Sequence, residues 1–232
     1  LKTPLTLIEG YTTMMVDMSD QSDESPISGL LKGVNTGILR LRQIIDDMID
    51  VSLIDNNLLT LNYQPVWISH LLNLLNNELK KTIASRKQTL IVNQFEGSDM
   101  MIYGDSERIY QALTNVASNA IKYTPDGGTI TINGRLLPGF IEVAITDTGI
   151  GISAENQATI FEKFGQLGRT DLHSSGKTKF KGDGPGLGLP ITRGIIEAHG
   201  GTIWVESEGH DEVQLKGSTF HILLPSRTEA TD

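Results

Sequence analysis

Asn115 and Asn119 stand four residues apart, and Lys122 follows three positions later. On a helix the two amides leave the same face. An amide oxygen is a hard, neutral ligand suited to Mg2+, which keeps waters and takes phosphate oxygens besides. Lys122 adds a point charge within reach of a phosphate. Asp147 ends an alternating strand, where a carboxylate can accept the exocyclic amine of adenine and so select adenine over guanine. Gly149 and Gly151 behind it let backbone approach a base closely. Gly184, Gly186 and Gly188 precede a helix whose free N–H groups and positive dipole end favour phosphate. Each piece also has a plain structural reading: a solvated helix face, a tight turn, a glycine loop. In this order they read together as a site for one Mg-nucleotide, ATP. It is not a Walker-type site, because G-x-x-x-x-G-K-[ST] occurs nowhere in the chain.

The elements that must position these residues fall into two regions. Leu31, Val34, Ile38, Leu41, Ile45 and Met48 alternate spacings of three and four, the pattern of a heptad seam. Leu1, Leu5, Ile8, Thr12 and Met15 form a shorter stripe of the same kind, and a polar stretch with turn chemistry, 19–26, separates the two. The pattern predicts antiparallel helices over about 1–18 and 28–56. Such a hairpin cannot bury both faces alone, and pairing two copies into a four-helix bundle solves this; packing on the rest of its own chain is the other solution.

From residue 59 the period changes. Strands are expected over 59–65, 88–95, 101–104, 129–136, 141–146, 202–207 and 218–224. Helices are expected over 66–83, from an Asp105 N-cap to about Tyr123, from Ser153 to about Ile160, and over 187–199 with Gly200-Gly201 as the stop. The aperiodic stretch 162–183 reads as a functional loop or lid. The predicted fold class is α+β: a helical hairpin, then a sandwich of a mixed sheet with helices on one face. The expected division is a hairpin over 1–58, a nucleotide-binding domain over 59–226 and a tail over 227–232.

Composition narrows the function. The 232 residues include no cysteine, which excludes disulfides and thiolate metal sites. A formal charge of -9 without a basic stripe argues against nucleic acid as a partner. No apolar run is long enough to span a bilayer, and Lys2 and Pro4 open a helical segment rather than a signal peptide. A cytoplasmic segment is expected, with membrane contact only through a possible anchor upstream of Leu1.

Taken jointly, the motifs resemble the catalytic region of sensor histidine kinases, with the Bergerat-type ATP fold shared by gyrase, heat-shock chaperone and mismatch-repair ATPases. Asn115 to Tyr123 looks like the N box, Asp147 to Gly151 the G1 box, Phe161-Glu-Lys-Phe164 the F box, Gly184 to Leu189 the G2 box, and Gly217-Ser-Thr-Phe220 a final glycine-threonine motif. Leu1-Lys-Thr-Pro-Leu-Thr6 is similar to the tail of the H box, so the resemblance places a phosphoacceptor histidine and a glutamate just before Leu1. It implies that Asn119 coordinates Mg2+ with Asn115 close by, that Lys122 and Tyr123 contact phosphate, and that Asp147 reads adenine beside Gly149 and Gly151. It implies further that Phe161 and Phe164 anchor the lid's start, that Gly184, Gly186, Leu187 and Gly188 form the lid's flexible end, and that Thr219 backs the base. Thr3 matches a position that can hold a water for dephosphorylating a response regulator.

In the related ATPases the position of Asn115 carries a glutamate that activates water, which an amide cannot do, so transfer is implied rather than hydrolysis. The implied activity is that of an ATP-dependent protein-histidine kinase in two-component signal transduction: a homodimer that passes the γ-phosphoryl to a histidine and then to a receiver-domain aspartate. A non-catalytic ATP-binding scaffold and a hydrolytic ATPase of the same fold are the alternatives. Pro185 departs from the family's usual threonine and removes one N–H from the phosphate loop. None of the five histidines has a phosphoacceptor context; His199, before Gly-Gly, is expected to cap a helix.

Overall fold

The computed structural model describes residues 8, 10–13, 15, 26–163 and 186–226. Thr3, Phe164, the loop 165–182, Gly184, Pro185 and the tail 227–232 lie outside the described residues. The chain divides into two compact units, Leu1–Leu53 and Ile54–Asp232.

In the first unit, residues 8, 10–13 and 15 are helical, and Thr12 Oγ1 donates to the Ile8 carbonyl at 2.5 Å. Helix α1 runs Pro26–Asp55. Proline suits its first position, because the missing N–H would have no partner there. Val34, Leu41 and Met48 recur every seventh residue at 50%, 49% and 51% exposure, whereas Ile38 is buried. An apolar seam thus stays open to solvent along one edge of the helix.

The second unit is α+β. Strand β1 (Gln64–Trp67) pairs antiparallel with β3 (Met101–Gly104). The main sheet holds β2 (Thr89–Val92), β4 (Thr129–Leu137), β5 (Phe140–Asp147), β6 (Thr202–Glu206) and β7 (Ser218–Pro225) in the order β2-β4-β5-β7-β6. Among the described strands of this sheet only the β2–β4 pair is parallel, so the sheet is mixed. Helices α2 (Ile68–Ser85), α3 (Ser106–Tyr123) and α5 (Gly188–Ala198) cover one face, and the short α4 (Ala154–Thr159) follows β5. The first expected strand is shifted from 59–65. Its alternation half-buries Leu59, Leu61 and Tyr63, but the four residues of β3 find their partners at Gln64–Trp67.

The core explains how the site is aimed. On β5, Ile141, Val143 and Ile145 are buried, and the same alternation brings Asp147 next on that side. On β7, Phe220, Ile222 and Leu224 share a side with Ser218, which pairs across from Asp147. Ala112, Ala117 and Ala120 leave α3 a small-residue face of zero to 1% exposure. Against it packs α5 with buried Pro190, Ile191 and Ile195.

His199 does more than end a helix. Its Nδ1 faces the Ile195 carbonyl at 2.8 Å, while Nε2 accepts the Asp105 N–H at 3.0 Å. Asp105 in turn caps α3 by accepting from the Arg108 N–H and takes the Asn62 N–H with its other oxygen. Burial holds the His199 pKa below its ordinary value. The unfolded chain therefore binds this proton more readily, and stability is full above about pH 6.5 and falls as pH drops below it. Denaturant unfolding at pH 7.5 and 5.5 should show the loss, and His199→Phe should be less stable at pH 7.5 by about 1–3 kcal/mol, with a smaller pH dependence.

Candidate functional site

Helix α3, capped by Asp105, ends at Tyr123, so Asn115, Asn119, Lys122 and Tyr123 occupy its last three turns, all half-buried. Asn115 Nδ2 donates to the Gly188 carbonyl at 3.2 Å, tying this helix to the first turn of α5. The Asn119 amide has no hydrogen-bond partner among the described residues, and Lys122 Nζ lies 4.7 Å from the centroid of the Tyr123 ring.

Asp147 is 4% exposed. Its Oδ1 accepts the Gly149 N–H at 2.8 Å and its Oδ2 accepts the Ser218 hydroxyl at 2.5 Å. Burial pushes its pKa up, while the Ser218 and Gly149 donors pull it down, and the burial effect prevails. A carboxylate kept dry at such cost, on an otherwise aliphatic strand face, is a mark of a functional position.

The loop after Asp147 is built by close backbone approach. A Cβ on Gly149 would stand 2.3 Å from the Tyr123 carbonyl, and one on Gly151, whose φ is +68°, would stand 2.1 Å from the Gly209 carbonyl. The Tyr123 carbonyl accepts the Ile150 N–H and the Gly149 carbonyl accepts the Gly217 N–H. Thus the end of α3, the turn after β5 and the start of β7 meet at one place. Phe161 sits edge-on to Phe220 at 6.3 Å. Gly186, at φ +70°, and the buried Leu187 lead into α5, whose first turn has no side-chain cap among the described residues.

Thr219 and Ser218 line the same cavity as Asp147 but from opposite faces of β7. Thr219 faces the opposite side of the sheet, where its hydroxyl meets that of Thr146 at 3.0 Å. Ser218 stands behind Asp147 instead, because strand alternation puts neighbours on opposite faces. Counting back by twos from Phe220 would have found it. Ser207 was also missed: its hydroxyl accepts the Ile152 N–H and donates to the Gly217 carbonyl, fastening the same turn. No sequence motif announces that contact.

Among the described residues no group of three or more His, Asp or Glu side chains could hold a metal ion. Nor is any described helix long and apolar enough to cross a membrane.

The profile of the family described as histidine kinase-, DNA gyrase B-, and HSP90-like ATPase matches residues 104–228. Sensor protein DivL of Caulobacter vibrioides is 32% identical over 225 residues, 97% of this chain and 26% of DivL. Full-length ShkA in complex with AMPPNP superposes with a TM-score of 0.78 at 23% identity, covering 99% of this chain and 44% of ShkA. Histidine kinase ThkA in complex with response regulator protein TrrA gives 0.63 at 22% identity, covering 97% of this chain and 58% of ThkA. The chain spans 26% to 48% of the length of the first curated relatives it matches.

Proposed function

The chain belongs to the histidine kinase-, DNA gyrase B- and HSP90-like ATPase family and carries a histidine-kinase-type ATP-binding catalytic domain; from that premise we propose that it binds Mg-ATP and commits the γ-phosphoryl to transfer rather than hydrolysis. The observation that carries this reading is the buried Asp147 carboxylate, held by Ser218 and the Gly149 N–H beside a turn with no room for side chains. That arrangement supports recognition of the adenine amine. Asn119, whose amide has no partner among the described residues, would hold Mg2+, and the ion would offset phosphate charge. Lys122 and Tyr123 would meet phosphate, and the first turn of α5 after Gly186 would present backbone N–H groups to it.

The same reading has Asn115 fasten α5 through Gly188 rather than activate water. Labelled ATP incubated with the protein should therefore be bound and recovered intact. Rapid release of inorganic phosphate would favour the hydrolase. The acceptor in this proposal is a histidine, followed by a receiver-domain aspartate. The ThkA–TrrA complex supports a response-regulator partner, and Thr3 would serve dephosphorylation.

Residues 1–58 are proposed as the dimerisation hairpin, 59–226 as the catalytic domain and 227–232 as a tail. The exposed recurrence of Val34, Leu41 and Met48 supports a homodimer. Leu41→Lys combined with Met48→Lys, both on the exposed seam, should give a monomer in light scattering while ATP binding stays unchanged. A wild-type chain already monomeric at high concentration would contradict the dimer.

A further inference from the structure

The connection between α2 and β2 places two polar side chains inside the fold. Arg86 is 8% exposed and Gln88 6%. Neither is used by the adenine-side contacts, and both reach the same target. Arg86 Nη1 donates to the Ile121 carbonyl at 3.3 Å and Nη2 to the Thr124 carbonyl at 2.9 Å, while Nε pairs with Asp126. Gln88 Nε2 donates to Ile121 at 3.1 Å, Thr124 at 2.8 Å and Pro125 at 3.4 Å. Ile121 lies in the last turn of α3, Thr124 is its C-cap and Pro125 follows directly. A helix C-terminus leaves its last carbonyls without intrahelical donors and carries partial negative charge. Here the donors come from elsewhere in the chain, and one of them is a full positive charge.

We infer that Arg86 and Gln88 form a clasp that positions the last turn of α3, and with it Lys122 and Tyr123, for the phosphates of the nucleotide. The inference rests on the Mg-ATP reading of the site. Both residues act through α3 and are positioning residues. Their selectivity follows from where the other restraints lie. The adenine-side turn has its own: Gly149 N–H to Asp147, Gly217 N–H to the Gly149 carbonyl, and Asp211 N–H to the Ile150 carbonyl at 2.7 Å. The Tyr123 carbonyl does accept the Ile150 N–H at 3.2 Å, which ties the two sides by one bond. Among the described residues the Lys122 side chain has no anchor of that kind; its one described contact is with the ring of its own neighbour, Tyr123. Loosening the clasp therefore moves the phosphate side more than the base side, which keeps its own three bonds. Lysine cannot replace Arg86, because an ammonium is a point donor and does not reproduce the planar fork that spans two carbonyls and a carboxylate.

The test is the ratio of ATP to adenosine affinity, measured by calorimetry on the whole chain. Arg86→Lys should lower that ratio about tenfold with adenosine binding little changed. Asp126→Ala, which leaves the carbonyl bonds intact, should keep the wild-type ratio. A purely structural role would lower the unfolding temperature without moving the ratio. If Arg86→Lys does not fold, Gln88→Met removes the NH2 shared among the three carbonyls at similar size and should show the same drop. A folded Arg86→Lys or Gln88→Met with the wild-type ratio overturns the clasp. A wild-type chain that binds adenosine as tightly as ATP fails the nucleotide reading itself, which is a distinct result.

Discussion

Asp147→Asn should lose ATP binding while the protein stays at least as stable as the wild type. The amide keeps the shape and one acceptor oxygen, so the Gly149 N–H remains satisfied, and its NH2 can donate to the Ser218 oxygen. What changes is the charge and the number of acceptors offered to a base. The expected loss of ATP affinity is about 30-fold or more, or ~2 kcal/mol, since a buried polar partner is left mispaired. Stability moves the other way for an electrostatic reason. Burial raises the Asp147 pKa above its value in the unfolded chain. The folded state then binds that proton more tightly, and stability falls as pH rises through the window between the two pKa values. At neutral pH the ionised carboxylate is a cost to the fold, and asparagine removes it. Thermal unfolding and calorimetry on one preparation check both halves; an intact ATP affinity would remove Asp147 from the site.

Gly151→Ala should be among the most damaging single-methyl additions in the chain. Its φ of +68° disfavours any side chain, and the new Cβ would stand 2.1 Å from the Gly209 carbonyl, a backbone atom that cannot swing away. The expected destabilisation is about 3 kcal/mol or more. Gly127 is the control. Its φ is also positive, at +86°, but nothing lies within 4 Å of its Cβ position. Gly127→Ala should cost only about 1–2 kcal/mol, the backbone term alone. Urea unfolding of the two variants separates the steric part from the conformational part. Equal losses would mean that the turn yields to the methyl group.

Particular residues show why much of the candidate site's placement was legible in sequence and part was not. Asn115, Asn119 and Lys122 needed only the helical period, and Asp105 gave the helix its start. Asp147 could be read because strand alternation carries it past Ile141, Val143 and Ile145. The glycines were legible as turn residues, though not which carbonyl each must approach. The contact between Ser218 and Asp147 has no motif of its own: the glycine-threonine motif points to Thr219 by residue type, whereas parity along β7 decides which neighbour meets the carboxylate. The role of His199 reaches across 94 positions to Asp105, and that of Arg86 across 38 to Thr124. Such contacts depend on tertiary closure and leave no local period. The shift of β1 has the same origin: alternation made 59–65 look like a strand, but a strand exists only where a partner supplies its ladder.

In the proposed reading, this domain recognises adenine through Asp147 and phosphates through a Mg2+-dependent contact at the end of α3. Calorimetric titration of the chain with ATP and with GTP, each with and without Mg2+, is the decisive experiment. One-to-one ATP binding that strengthens with Mg2+, and GTP binding weaker by at least about 100-fold, is the predicted result, since guanine presents an oxygen where the carboxylate requires a donor. Equal affinity for the two nucleotides, or ATP binding indifferent to Mg2+, would contradict the account.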